Sequence, residues 1–451
     1  MELPQAFTDK MRGLFGAEYD AFARGFDLPR HYGVRVNTLK VGVDAFKKLV
    51  DCSLAPVPWC DEGFYYDAAA FRLSKSPYYA AGLYYLQEPS AMSAAAILDA
   101  KPGERVLDLC ASPGGKTTQL AAAMQNMGVL VTNDATSTRM TALLKNVELM
   151  GLRNTLVTNE TAERLAMRFA GWFDKILVDA PCSGEGMFRK DRDAVLSWDE
   201  KKPARLSEIQ YTILEDAAKM LRVGGRLMYS TCTFSPEENE KQIHAFLDRH
   251  PDFALVRIDH ERFGVSLARG DWAEDESLTA AARIWPHVQN GEGHFAALLE
   301  RTGEVSDEAA MTAAPEKEET ADAKAVALWE AFAKDVLCVP LEGTIARHKD
   351  LLYIPPEGLP TLDGLRIFRG GFPLGTVKNN RFEPSSVLAQ ALPKAAFTRT
   401  LDFAVDSDEV RRFLNGEAFE IDAANGMHAF CVDGYPLGLV KIQGGRLKGR
   451  V

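Results

Sequence analysis

No apolar run in the 451 residues approaches the ~18 to 20 that a membrane helix needs, so no membrane is expected among the partners. The first residues, MELPQAFTDKMRGLFG, carry early acidic and polar side chains and no apolar core, and no signal peptide is expected there. Cysteine is sparse. The seven cysteines, at 52, 60, 110, 182, 232, 338 and 431, are odd in number and form no C-x-x-C pair. This argues against a disulfide framework and a zinc ribbon and for a reducing, cytoplasmic setting. None of the eight histidines stands at a ligand-like spacing from a cysteine or another histidine, so no metal is expected. Bases are in deficit, with 52 Lys and Arg against 63 Asp and Glu for a net charge of −11. That balance argues mildly against a nucleic-acid partner, because Lys and Arg drive phosphate binding. Hydrophobic content of 46% and charged content of 25% exclude a disordered chain and a coiled-coil rod. At ~150 residues per domain, two to four domains are expected.

The charge is uneven. Residues 304 to 324, EVSDEAAMTAAPEKEETADAK, are acidic and poor in core-forming side chains, which suits a linker. Beyond it, residues 364 to 400 carry Arg366, Arg369, Lys378, Arg381, Lys394 and Arg399 against Glu383 alone, and the terminus adds Lys441, Arg446, Lys448 and Arg450. Basic faces on an acidic protein are therefore expected. The same part holds an echo, GFPLGTVK at 371–378 and GYPLGLVK at 434–441. Each copy alone reads as a turn entering a strand, and the two together suggest a pair of small β units.

Upstream of the linker, strand and helix patterns alternate. Apolar runs at 105–109, 129–132, 155–158, 175–178 and 226–230 read as strands. Residues 116–124, 137–150 and 206–221 read as helices, the last with Ile209, Ile213, Leu214, Ala217, Ala218 and Leu221 as its apolar positions. This alternation predicts a mostly parallel sheet covered on both faces, with ligands beyond the carboxyl ends of its strands. Residues 1–98 read as a separate α+β lobe, with helices at 4–15 and 17–26, a strand at 34–39, and Ser90 as the cap of SAMSAAAIL.

Three motifs fall at strand ends. The first is DLCASPGGKTTQL, 108–120. A strand enters a Gly-rich turn that opens a helix, whose free N–H groups can face a ligand. Gly115-Lys116-Thr117 resembles the end of a phosphate-binding P-loop. That motif requires glycine where Cys110 stands, so a nucleotide without tight phosphate cradling fits better. Asp134, ending the next strand, suits a ribose hydroxyl pair, although an ordinary cap has the same look. The second motif is FDKILVDAPCSGEGMFRKD, 173–191, which leaves Asp179 and Cys182 exposed at the edge of the sheet. The third is MYSTCTFSPEENE, 228–240, in which Cys232 precedes Ser235-Pro236-Glu237-Glu238, a capping-box pattern with Pro at the first helical position. A thiolate at Cys232 would have helix N–H groups nearby. A lone cysteine is usually apolar filler, the expectation for Cys52, Cys60, Cys338 and Cys431. Two cysteines on neighbouring strand-end loops, one beside an Asp, point to a site.

In this order the three blocks resemble the RNA cytosine-5 methyltransferases of the RsmB/RsmF family: a CAxPGGKT loop at 110–117, DAPCSG at 179–184 and STCT at 230–233. Upstream RVNTLK (35–40) and LQEPSAM (86–92) are similar to that family's N-terminal signature. FRGGFPLG, RFEPSSVLA and DGYPLG are similar to the PUA-like extension of its RsmF branch. The resemblance implies an α/β fold: an N-terminal α+β RNA-binding lobe over 1–98, a Rossmann-like class I methyltransferase domain over 99–303, an acidic linker over 304–325 and a C-terminal PUA-like β-rich RNA-binding part over 326–451. It implies S-adenosylmethionine, held by Cys110, Ala111, Ser112, Pro113, Gly114, Gly115 and Lys116 with Asp134, Arg139 and Asp179. Family members carry an Asp just beyond the third strand for the adenine. Here Thr161 takes that position, and no such contact is implied.

The chemistry also has its own logic. Carbon 5 of cytosine is too poor a nucleophile to take a methyl group directly, and a thiolate added to carbon 6 makes an enamine that can. The resemblance assigns that thiolate to Cys232, the hold on the base to Asp179, the orienting of Asp179 to Lys116, and removal of the carbon 5 proton to Cys182. The target base must be unpaired or flipped out. Pro181-Cys182 is also similar to DNA cytosine methyltransferases, which use that cysteine as nucleophile, and the second cysteine of STCT points to RNA. The expectation is a cytoplasmic, monomeric enzyme acting on ribosomal RNA or the small ribosomal subunit, not on DNA. The alternatives are a transfer-RNA methyltransferase of the same mechanism, a catalytically silent RNA-binding module and a nucleotide hydrolase. The intact Asp179, Cys182 and Cys232 disfavour the silent module, and the lack of glycine at 110 disfavours the hydrolase.

Overall fold

The computed structural model of the chain describes residues 3–303 and 320–450. Most of the expected acidic linker lies outside the described residues, as do the side chains of Lys448 and Arg450. At the linker's far end a helix already runs over Ala323–Val336, capped by Asp322, with Ala325 buried.

In the N-terminal part the helices Gln5–Phe15 and Tyr19–Arg24 pack through Phe7, Met11, Phe15 and Phe22 against Phe188, Trp198, Phe234 and Trp285. An antiparallel sheet is built from β1 (Tyr32–Val36), β2 (Ala55–Val57), β3 (Cys60–Tyr66) and β4 (Tyr84–Gln87), ordered β2-β3-β1-β4. Strand β1 is buried on both faces after its first residue. Gly33 lets β4 approach, since a Cβ there would stand 2.4 Å from the Gln87 carbonyl oxygen. Ser90 does not cap the next helix. Residues Ser90–Met92 form a 3-10 turn, and the helix runs over Ser93–Leu98. The Glu88 carboxylate takes the free N–H groups of Ser90 and Ala91, each at 3.0 Å, because it reaches them from outside the turn.

The central sheet is built from β5 (Arg105–Asp108), β6 (Val129–Asn133), β7 (Thr155–Thr158), β8 (Phe173–Asp179), β9 (Leu221–Thr231), β10 (Phe253–Val256), β11 (Ser266–Leu267), β12 (Ala282–Ile284) and β13 (His294–Arg301). Strands β7-β6-β5-β8-β9 are parallel neighbours, and β13 joins β9 antiparallel. Strands β6 and β7 are buried at every position, as a sheet covered on both faces requires. Strand order reverses between β5 and β8, and the loops after β5, β8 and β9 meet at this switch point. The helix expected at 206–221 starts earlier, at Lys202, because Pro203 is tolerated in a first turn. Leu214, Ala217 and Ala218 are buried, but Ile209 is 48% exposed.

The C-terminal part forms two sheets and one stray strand. Strands β14 (Ala346–His348), β15 (Leu351–Ile354), β17 (Phe372–Lys378) and β18 (Arg381–Pro384) make one sheet. Strands β19 (Thr400–Phe403), β20 (Phe419–Glu420), β21 (Gly426–Val432), β22 (Tyr435–Gln443) and β23 (Arg446–Arg450) make the other. The two echo motifs are β17 and β22, each an inner strand of its own sheet. Strand β16 (Ile367–Arg369) leaves both sheets and pairs antiparallel with β7 at the edge of the central sheet. Leu359 and Leu362 bury themselves in the same core as Phe169 and Phe173. The last sheet shares a core with the N-terminal lobe: Val34, Phe46 and Phe64 pack in one cluster with Phe413, Phe430 and Leu437, and the Tyr78 hydroxyl donates to Asp433 at 2.6 Å.

Candidate active site

The turn after β5 is folded by its small residues. Gly114 has φ +106°, Gly114 N–H closes on the Ala111 carbonyl at 2.7 Å, and the helix Gly115–Ala123 begins at once. Its first N–H groups have no intrahelical acceptor. A Cβ at Gly115 would press on the Tyr85 ring at 3.2 Å. Asp134, buried at the end of β6, accepts from Ser112 N–H at 3.2 Å and Thr136 N–H at 2.8 Å and stands 3.4 Å from Arg139. Arg139 in turn donates to the Ser112 carbonyl. Asp108, fully buried below the turn, accepts from the Thr117 hydroxyl at 2.6 Å, has one oxygen without a partner, and is pushed up to about 7 by burial. Cys110 is a half-buried thiol raised by the same desolvation. A Gly-rich turn, a free helix N-terminus and an acid at the next strand end fit a nucleoside with an amino-acid tail, the make-up of S-adenosylmethionine.

The groups expected to act on a base converge next to it. Lys116 Nζ donates to Asp179 at 2.7 Å, and Ser230 Oγ donates to the other carboxylate oxygen at 2.8 Å. Burial raises the Asp179 carboxyl, but Lys116 and then His294 outweigh it and hold the group below the usual range. Cys182 and Cys232 stand with their sulfurs 3.4 Å apart. The contact with Cys232, in which either sulfur can be the donor, followed by burial, pushes the Cys182 thiol far up.

A buried carboxylate scaffold holds the two cysteine loops together. Glu238 accepts from Ser183 N–H and from Gln210, both at 2.9 Å, and also from the Ser183 hydroxyl. Glu185 accepts from the Thr233 hydroxyl at 2.8 Å, Phe234 N–H at 3.0 Å and the Ser235 hydroxyl at 2.6 Å. The expected capping box at 235–238 is therefore not formed. Pro236–Glu238 is a 3-10 turn, and the helix starts at Glu240. Both box side chains are drawn away, Ser235 to Glu185 and Glu238 to Ser183.

Nothing in the sequence alone singled out His294. It is buried on β13, its Nε2 is 3.8 Å from Asp179, and neither ring nitrogen has a partner. Burial and then Lys116 lower its pKa to about 4, so it is neutral at pH 7. Thr161 caps the helix Ala162–Ala166 through a 3.4 Å bond from Arg164 N–H, a local duty that explains a hydroxyl there. Of the four cysteines expected as filler, Cys60 and Cys431 are buried and Cys52 is half-buried, but Cys338 is exposed. It follows the helix Ala323–Val336, where its N–H bonds the Ala396 carbonyl and the side chain faces outward. Among the described residues no group of three His, Cys, Asp or Glu could hold a metal.

A parallel sheet with its loops gathered at the switch point, a nucleoside-shaped turn and a pair of thiols defines a class I methyltransferase. Residues 95–300 match the family described as 16S rRNA methyltransferase RsmB/F. Residues 3–89 match the N-terminal domain of 16S rRNA methyltransferase RsmF, 331–392 the RsmF first C-terminal domain and 400–450 the RsmF PUA domain. The chain is 32% identical to ribosomal RNA small subunit methyltransferase F of Erwinia tasmaniensis, over 99% of this chain and 95% of that one. It is 33% identical to the protein of that name from Klebsiella pneumoniae, over 99% and 94%. It belongs to the RsmF branch of the RsmB/F family. Among solved structures, a methyltransferase homologue from Pyrococcus horikoshii is 32% identical with a TM-score of 0.58, covering 66% of this chain and 94% of its own. NSun6 of the same organism, with SFG, is 21% identical with a TM-score of 0.57 over 67% and 99%, and shows the shared fold.

Proposed function

We propose that the chain methylates carbon 5 of cytosine in small-subunit (16S) ribosomal RNA, with S-adenosylmethionine as methyl donor. The observation that carries the reading is the pair of sulfurs 3.4 Å apart beside the Lys116–Asp179–Ser230 cluster. The names of the relatives supply the RNA.

When bound, the cofactor supplies an electrophilic sulfonium methyl. Cys232 adds to carbon 6 of the flipped-out base, and carbon 5 becomes nucleophilic. Asp179, fixed by Lys116 and Ser230, holds the ring nitrogen and amino edge and stabilises the charge that develops there. Cys182, its own proton passed to solvent, then takes the carbon 5 proton as a thiolate, and Cys232 leaves as a thiolate. Cys110 to Lys116 cradle the methionine and ribose end, with Asp134 on the ribose hydroxyls, and Arg139 supports that turn through Ser112. The enzyme works as a cytoplasmic monomer on RNA rather than DNA. No helix among the described residues is long and apolar enough to cross a membrane.

Bisulfite sequencing of ribosomal and transfer RNA from cells lacking the gene tests the reading. A mark lost from 16S RNA supports it, and a mark lost only from transfer RNA replaces it with the transfer-RNA alternative. Asp134→Ala removes two charge-assisted hydrogen bonds to the ribose, each worth roughly 1.5–3 kcal/mol. Calorimetry should show S-adenosylmethionine affinity falling at least tenfold. Unchanged affinity in a folded variant refutes the ribose assignment.

A further inference from the structure

The target cytosine must leave its stack to be methylated. Its neighbours then lose a stacking partner, and an enzyme that offers them a ring recovers that energy. Two pairs of rings lie on the N-terminal sheet, at the end of β1 nearest Arg30. Tyr32 stands opposite Tyr66 in the β1–β3 register, with ring centroids 6.2 Å apart. The Arg30 guanidinium lies 5.1 Å over the Tyr32 ring, and the His31 ring lies 5.8 Å from that of Tyr65. Tyr32 is 41% exposed, a large share for a ring on a strand whose other residues are buried.

The cluster is tied to the reaction centre by a short path. Arg30 Nε stands 3.9 Å from a Glu292 oxygen, Arg189 holds the other oxygen at 2.7 Å, and Glu292 N–H donates to Glu88 at 3.0 Å. Two residues further along the chain, His294 stands 3.8 Å from Asp179. Arg30 Nε is buried without a hydrogen-bond partner. A planar cation beside exposed hydroxylated rings suits unstacked bases and their phosphates. A protein partner would call for a contiguous apolar patch instead.

We infer that Tyr32, Tyr66 and Arg30 form a stacking ledge for the unpaired nucleotides that flank the target cytosine. The inference rests on the RNA reading above and assigns the N-terminal sheet its part in it.

The test uses the full chain with Tyr32→Ala and Tyr32→Phe. Fluorescence anisotropy measures binding of a 12-nucleotide single-stranded RNA with a central cytosine, and calorimetry of S-adenosylmethionine reports that each variant is folded. Loss of one stacked base should raise the RNA dissociation constant about tenfold for Tyr32→Ala. Tyr32→Phe should restore it, and cofactor affinity should not change. The salt dependence should keep its slope, because no charge is removed. Equal RNA affinity for Tyr32→Ala and the parent overturns the ledge. So does a defect seen only with assembled small subunits and absent on the oligonucleotide, which would assign the surface to a ribosomal protein. A parent chain that binds the RNA but methylates neither 16S RNA nor small subunits overturns the proposed function, while the ledge is still judged on binding.

Discussion

Incubated with RNA and S-adenosylmethionine, Cys182→Ala should accumulate a protein–RNA species that survives denaturing electrophoresis, and Cys232→Ala should give neither that species nor turnover. The two sulfurs face one site at 3.4 Å, but their tasks fall at different times. Before the base arrives, Cys182 is held as a thiol, first by its contact with Cys232 and then by burial. The 3.4 Å contact lets the two sulfurs share a hydrogen bond, with either as donor. Once Cys232 bonds to carbon 6 that contact is gone, and with it the first cause of the high Cys182 pKa. Cys182 then gives up its own proton to solvent and, as a thiolate, takes the carbon 5 proton. Without Cys182 the methylated adduct forms but cannot resolve. Without Cys232 no adduct forms. The role order of the DNA enzymes gives the reverse pattern, so a trapped adduct in Cys232→Ala, or none in Cys182→Ala, would overturn the assignment.

Arg283→Met should be the most destabilising single change among the groups described, by about 3–5 kcal/mol. Arg283 and Glu240 are both fully buried, and their pair is bidentate, with Nε to Oε1 at 2.9 Å and Nη2 to Oε2 at 2.5 Å. The guanidinium also lies 4.8 Å from the Trp285 ring and 5.4 Å from that of Trp272. Removing Arg283 leaves a buried carboxylate whose remaining hydrogen bond is from the Arg269 N–H at 3.2 Å. Replacing both residues by methionine removes the uncompensated charge as well as the pair, and most of the stability should return. Urea unfolding followed by tryptophan fluorescence reads both variants, since two of the rings flank the pair. A loss below about 1 kcal/mol for Arg283→Met, the range of an exposed pair, would contradict the burial described. Activity should fall too, because Arg283 Nη1 also donates to the Thr233 carbonyl at 3.3 Å, next to Cys232.

Local pattern made part of this legible. Five apolar runs set out the parallel core, and the motifs at 108–120, 173–191 and 228–240 placed Lys116, Asp179, Cys182 and Cys232 on loops that meet. What stayed hidden depends on distant partners. Strand β16 spans only Ile367–Arg369, too short for any periodicity, and its partner β7 precedes it by about 200 residues. Glu185 and Glu238 look like ordinary acids in polar loops, and only the assembled site shows both as buried braces. Glu238, pushed up to about 7 by burial, took the look of a helix cap because a capping box is a purely local signal. His294 had no motif, and its meaning comes from the β9–β13 register, which sets Phe295 opposite Thr231. His294 directly precedes Phe295, and its ring stands 3.8 Å from Asp179.

The shared core of the first lobe and the last sheet also dictates an order of events during synthesis. Tyr78 waits for Asp433, 355 residues later. At a ribosomal rate of ~5–20 residues per second, that is roughly 20 to 70 s. For that interval the apolar face of β1 and β3, with Val34, Phe46 and Phe64, has no permanent cover. The edge of β7 likewise stands open until β16 is made. The nascent chain therefore exposes a sticky sheet face and an unpaired strand edge together, the two features that invite misassembly. Strand β16 closes the edge and the last sheet closes the face, so the catalytic domain is finished only after both have been made.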